Sequence, residues 1–170
     1  MKRTFVIIIA LLTILALAGC TQPVPEEGTQ VHFYYITNNL NFGSEEPLLI
    51  RVNRNVSWED NTPESIIRLY LNGPTSYDCV SPFPGGTELV EMYVESNRVS
   101  LVLSPHIGTL SPVDQTIAYA CLTKTVIELT GVSTVQLRLE NSLINGEETA
   151  SFQADSFDYF DSMTQADLSE

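Results

Sequence analysis

The chain has 170 residues, 44% of them hydrophobic, with 21 Asp and Glu against 8 Lys and Arg and a net charge of −13. That length supports one domain with a real apolar core. An acidic balance of this size speaks against nucleic acid as a ligand and against direct adhesion to anionic lipid headgroups.

Met1-Lys2-Arg3 opens the chain with positive charge, and a nearly unbroken apolar run follows from Phe5 to Ala18. A charged start and an apolar stretch shorter than a membrane span predict a secretory signal peptide over residues 1–19. The run ends in Leu17-Ala18-Gly19-Cys20. Small residues before a cysteine resemble the lipobox of bacterial lipoproteins, which implies cleavage before Cys20 and lipidation of its sulfur. One acyl chain binds a bilayer only marginally, so firm retention needs more than one. Loss of Lys2 and Arg3 with the leader takes the charge from −13 to −15. Residues 20–30, rich in Pro, Gly and polar side chains, read as the lipidated cysteine and an extended tether.

The first strand is expected at Val31–Ile36, where β-rich residues end in Thr37-Asn38-Asn39. After a loop with Gly43 and two Glu, Leu48, Ile50 and Val52 alternate with Leu49, Arg51 and Asn53, the period of a half-buried strand. Thr62-Pro63 then predicts a helix start, with Ile66, Ile67, Tyr70 and Leu71 as its apolar stripe and Gly73-Pro74 as its stop. Trp58, just upstream, is expected to pack over that start. Next comes a hairpin. A two-residue loop at Ser96-Asn97 pairs 95 with 98, 94 with 99, 92 with 101 and 90 with 103, and puts the apolar residues on one face. Ser111-Pro112 begins a second helix, with Asp114 as its capping acid and Gly131 as its end. Ala118, Cys121, Leu122, Thr125 and Leu129 share one of its faces. Val135, Leu137 and Leu139 mark a further strand, and Asn145-Gly146 a turn into a short strand at Thr149–Phe152.

The order β-β-α-β-β-α-β fits an α+β two-layer sandwich, with a mainly antiparallel sheet of about five strands and both helices on one face. The folded domain is expected over 31–152, followed by an acidic tail at 153–170. There Asp155, Asp158, Asp161, Asp167 and Glu170 interleave with Phe157, Tyr159 and Phe160. The tail reads as a solvated end, with a short docking segment as the sharper alternative.

Several of these segments resemble the GerMN domain family, named from sporulation and spore germination proteins. Leu69-Tyr70-Leu71-Asn72-Gly73-Pro74 is similar to the family's L-x-x-G-P helix end. Ser81-Pro82-Phe83-Pro84-Gly85-Gly86-Thr87-Glu88-Leu89 is similar to its proline-glycine loop before a strand. Leu129-Thr130-Gly131-Val132-Ser133-Thr134-Val135-Gln136 is similar to its helix, G-V-x-x-V and strand pattern. The resemblance spans Val31 to Glu148. It implies a non-enzymatic module working outside the membrane in envelope or sporulation assemblies, and some members resemble ring-building modules. This chain is read as departing from the family pattern in having one copy only and no fused partner domain.

Catalytic signals are weak. His32 and His106 stand apart, and there is no His-x-x-x-His, His-Glu-x-x-His, Cys-x-x-Cys or G-x-S-x-G spacing, so neither a metal nor any other cofactor is expected. Glu91, Glu95 and Glu140 fall on outward strand positions, where carboxylates are usually solvated. Cys79 and Cys121 are candidates for a disulfide in an exported protein; alternatively, Cys121 is simply a small buried hydrophobe on the helix stripe. Tyr77, Phe83 and Tyr93 are candidates for a partner surface. The expected protein is therefore a lipid-anchored interaction or assembly domain at the outer face of the cytoplasmic membrane. Its partners are envelope proteins or further copies of itself, and peptidoglycan binding or cell-wall modification is the alternative.

Overall fold

The computed structural model describes residues 28–38, 47–57, 61–144 and 146–161. The signal peptide, Cys20, the loop with Gly43, Trp58, Asn145 and the end of the acidic tail lie outside the described residues. Among those described, no helix is long and apolar enough to cross a membrane.

The first sheet is built from β1 (Thr29–Thr37), β2 (Leu49–Val56) and the two-residue β3 (Cys79–Val80), in the order β2-β1-β3. β1 enters two residues earlier than expected. At its entrance a Cβ on Gly28 would stand 2.6 Å from the Val56 carbonyl oxygen, so only glycine lets the two strand ends close there. β1 and β2 are antiparallel, with Phe33 opposite Val52 and Tyr35 opposite Ile50. Val31, Phe33 and Tyr35 turn into the core.

Helix α1 (Pro63–Leu71) follows. Thr62 caps it by accepting a hydrogen bond from the Ser65 amide, and Ile66, Ile67, Tyr70 and Leu71 are buried as the stripe predicts. The Tyr70 hydroxyl donates to the Tyr34 carbonyl at 2.6 Å, and the Tyr35 hydroxyl donates to the Tyr70 carbonyl at 3.2 Å. The rings of Phe33, Tyr35 and Phe83 each lie 5.1–5.3 Å from that of Tyr70. This aromatic knot ties α1 to the first sheet.

The second sheet has the order β4-β5-β6-β7, from β4 (Leu89–Glu95), β5 (Arg98–Leu103), β6 (Thr134–Leu139) and β7 (Ala150–Gln153). The β4–β5 hairpin turns at Ser96-Asn97 with the expected register from Glu95↔Arg98 to Met92↔Leu101. Beyond that point a bulge intervenes, and Leu103 pairs with Leu89 instead of Val90. The polar contacts beside Leu89 account for the change. Arg68 Nη1 donates to the Leu89 carbonyl at 2.5 Å, and the Glu88 and Ser104 amides each bond across at 2.9 Å. Leu89 thereby takes the core position and Val90 is pushed outward.

β5 and β6 are parallel, which requires a crossover. A 3-10 stretch, Pro105–Thr109, and helix α2 (Pro112–Thr130) supply it. Ser111 caps α2, and Gly131 closes it in the left-handed region at φ 72°, where a side chain would be strained. α2 buries far more than the single face expected. Ile117 through Thr123, Thr125 and Val126 are all covered. Such all-round burial belongs to a helix enclosed on every side, and α2 touches β1, β6, α1 and both 3-10 stretches.

The α+β class holds, but the strands form two sheets of three and four, not one of about five. The reason lies at the free edge of β1. β3 pairs with it only at Ile36 and Thr37. Further along, α2 takes the place of a neighbouring strand, and the Tyr34 amide donates to Thr125 Oγ1 at 3.0 Å.

The start of the acidic tail also differs from a solvated end. Residues Ala154–Asp161 form a 3-10 strap with Phe157 and Phe160 buried. Tyr119 stacks on Phe152, which in turn meets Phe157 at 5.0 Å. Lys124 Nζ pairs with Asp161 at 2.9 Å. The folded unit therefore runs through Asp161, with its last aromatics used to cover α2.

Candidate functional site

The residues singled out from the sequence fall in different places. Tyr77 sits in the loop between α1 and β3 and is 92% exposed. Tyr93 lies on β4 and is 56% exposed. Phe83 is not a surface residue: it is 7% exposed, with its ring edge-on to Tyr70. The Gly/Pro loop that carries it reads as surface, but folds its one large apolar side chain inward. Cys79 and Cys121 are both buried thiols. Burial raises the pKa of each thiol, for Cys121 far above the usual range, which keeps them protonated and poorly nucleophilic.

The histidines serve separate local networks. His106 Nδ1 shares a hydrogen bond with Ser104 Oγ at 3.0 Å, which steadies the turn after β5. His32 Nδ1 meets Asn53 Oδ1 at 2.6 Å, and its Nε2 stands 3.9 Å from Glu128. Glu128 is the hub of this second network. Arg51 Nε reaches both of its carboxylate oxygens, at 3.0 and 3.1 Å. The Arg51 hydrogen bond is the leading cause that lowers the Glu128 pKa. Burial, followed by the hydrogen bond to Glu128, raises that of Tyr34. The network pins the C-terminal half of α2 to β1 and β2. Sequence reading missed it because Arg51 and Glu128 are 77 positions apart.

A lowered carboxylate pKa in the fold means that this pair stabilises above the ordinary glutamate value and loses its contribution as pH falls through the folded value. The pair is partly exposed, so the effect on global stability is small. In Arg51→Gln, NMR titration is expected to show the Glu128 carboxyl moving up toward the ordinary value. An unchanged midpoint would mean that Arg51 does not hold it.

Beside this network runs a groove of about 300 Å³ lined by Thr29, Gln30, His32, Asn61, Ile66 and Glu128 among others. Among the described residues, no three His, Cys, Asp or Glu converge to hold a metal ion.

The most exposed regular element is β4. It forms one edge of its sheet, and beyond Leu89 its residues are exposed except Met92, which packs against the core. Val94 is 57% exposed on one face, and Glu91, Tyr93 and Glu95 line the other. The Tyr93 hydroxyl donates to Glu91 at 3.0 Å, and Arg98 Nε donates to Glu95 at 3.0 Å. Edge strands usually hide or charge their open backbone groups. Here the charges lie on one face only, and the other is apolar.

Comparison with solved structures places this architecture. The tandem GerMN domains of the sporulation protein GerM from Bacillus subtilis align with TM-score 0.61 at 17% identity, over 82% of this chain and 49% of that one. The chain thus spans about half the length of the tandem protein. The first GerMN domain of GerM from Bacillus subtilis aligns with TM-score 0.53 at 16% identity, over 71% and 85% of the two chains. Identities this low show a shared fold. A candidate lipoprotein from Clostridium perfringens aligns at 12% identity over 75% and 89%, with a TM-score of 0.48 that is too low to support an inference. A search of curated proteins returns no match. The Germane family model, described as sporulation and spore germination, matches residues 32–145, and on that extent of the chain the protein belongs to this family and carries a GerMN-like domain.

Proposed function

We propose that this protein is a lipid-anchored interaction domain of the cell envelope, non-catalytic, held at the outer face of the cytoplasmic membrane through Cys20. Its work is to bind envelope proteins or further copies of itself in sporulation or spore germination. The observation that carries this reading is β4, a seven-residue strand at the edge of its sheet with most of its side chains exposed. Its exposed row offers main-chain hydrogen bonds together with Tyr93 and Val94, the ingredients of strand addition. Family membership supports the setting, and the leader ending at Cys20 supports the anchor.

The test is a photo-crosslinking amino acid placed at Tyr93 in intact cells, with Val113 on the first turn of α2 as an equally exposed control. Discrete adducts are expected from Tyr93 and not from Val113. No adduct at Tyr93, or the same pattern from both sites, would contradict the reading.

A further inference from the structure

We propose that the free edge of β1 at Gln30 and His32 is a docking site for a short extended peptide of another protein, which adds to β1 as a strand. The inference rests on the reading of this protein as an interaction domain and adds a second site with its own class of ligand.

The hydrogen bonds around β1 fix the direction of each backbone group. The Thr37 amide donates to the Leu48 carbonyl, on the β2 side, and the Asn38 amide to the Asp78 carbonyl, on the β3 side. The Tyr34 amide donates to Thr125 Oγ1, and the Tyr34 carbonyl accepts from the Tyr70 hydroxyl. Odd-numbered residues of β1 therefore turn their backbone groups toward β2 and even-numbered ones toward the opposite edge, as antiparallel pairing requires. β3 covers that edge at Ile36, and Thr125 and Tyr70 cover it at Tyr34. Gln30 and His32 come next. No group among the described residues bonds to their amides or carbonyls on that side. Two donors and two acceptors thus stand open, repeating at roughly 7 Å, twice the rise per residue of a strand. An unpaired row of this kind is a template for another extended backbone.

The open stretch lies in the groove of about 300 Å³, the small end of the range for ligand pockets. Thr29–His32 line it together with Pro63 and Ile66 from the start of α1 and Glu128 and Leu129 from the end of α2. The side chains of an added strand alternate between two faces. One face carries Val31, on the side where α1 packs, and takes an apolar residue. The other carries His32, held by Asn53 and 3.9 Å from Glu128, and takes a polar one. A net charge of −13 favours a basic residue there over an acidic one. Thr125 on α2 ends the open row at Tyr34, so the segment is short and faces only Thr29–His32.

The test uses the full chain in detergent micelles, with a phage-displayed library of random heptapeptides as the probe. Enriched peptides are expected to alternate apolar with polar or basic residues. Added to the protein, they should slow amide exchange at Gln30 and His32, read residue by residue by NMR. Gln30→Pro deletes one open N–H and leaves the ladder to β2 intact, because proline is tolerated where the N–H faces away from the neighbouring strand. It is expected to weaken binding about tenfold, the factor that one good hydrogen bond supplies, with a Tm close to the parent's. Tyr93→Ala, on the β4 edge, should bind like the parent. If Gln30→Pro does not fold, exchange in the parent decides alone. No enrichment, protection away from β1, or full binding by Gln30→Pro would overturn the proposal. Enriched sequences that match a segment of this chain would overturn it in favour of self-pairing. The crosslink at Tyr93 reads a different edge, so the interaction reading stands or falls separately.

Discussion

Tyr70→Ala is expected to destabilise the protein by about 3–5 kcal/mol, the cost of emptying a large aromatic site in a packed core. The residue is fully buried and touches Phe33, Tyr35 and Phe83. Its hydroxyl satisfies the Tyr34 carbonyl. Tyr70→Phe keeps the ring and orphans that carbonyl, so about 1–3 kcal/mol should be lost. Urea unfolding of both variants against the parent measures the order. Equal losses would mean that the ring contributes nothing beyond its hydroxyl. Burial holds the Tyr70 phenol well above its ordinary value of 10.0. The folded state keeps that proton while the unfolded chain releases it. Stability is therefore expected to fall as pH rises past about 10, and to fall less steeply in Tyr70→Phe.

Replacing Phe157 and Phe160 together by Ala is expected to remove about 3–6 kcal/mol, two buried aromatic side chains' worth of transfer free energy. Both rings are buried in the strap over α2, in line with Phe152 and Tyr119. Hydrogen exchange should then speed up along the outer face of α2 while the aromatic knot at Tyr70 stays protected. A solvated tail would leave both stability and exchange unchanged.

The local grammar of the chain was largely legible. Thr62-Pro63 and Ser111-Pro112 announce their helices because a cap and a first-turn proline act within one turn. Gly131 ends α2 for an equally local reason. The β4–β5 register follows from strict alternation on both sides of Ser96-Asn97. What alternation cannot reveal is competition between distant elements. Thr125 on α2 claims the Tyr34 amide, and that contact splits one expected sheet into two. Arg68 and Ser104 fix Leu89 and shift the bulge to Val90. Phe83, Phe157 and Phe160 were misplaced for a shared reason. Each sits among Pro, Gly or Asp residues that mark surface on average, while its own ring finds a neighbour in the core. The β4 surface was only half legible, since Tyr93 stood out but the edge position of its strand depends on sheet order.

The proposed lipid anchor is tested most directly by metabolic labelling with a palmitate analogue. The parent chain is expected to be labelled and to run shorter by its first 19 residues, with its domain open to protease added outside the membrane. Cys20→Ser should be unlabelled and retain the leader. A parent chain without label, or a Cys20→Ser chain labelled and processed like the parent, would contradict a lipid-anchored extracytoplasmic domain.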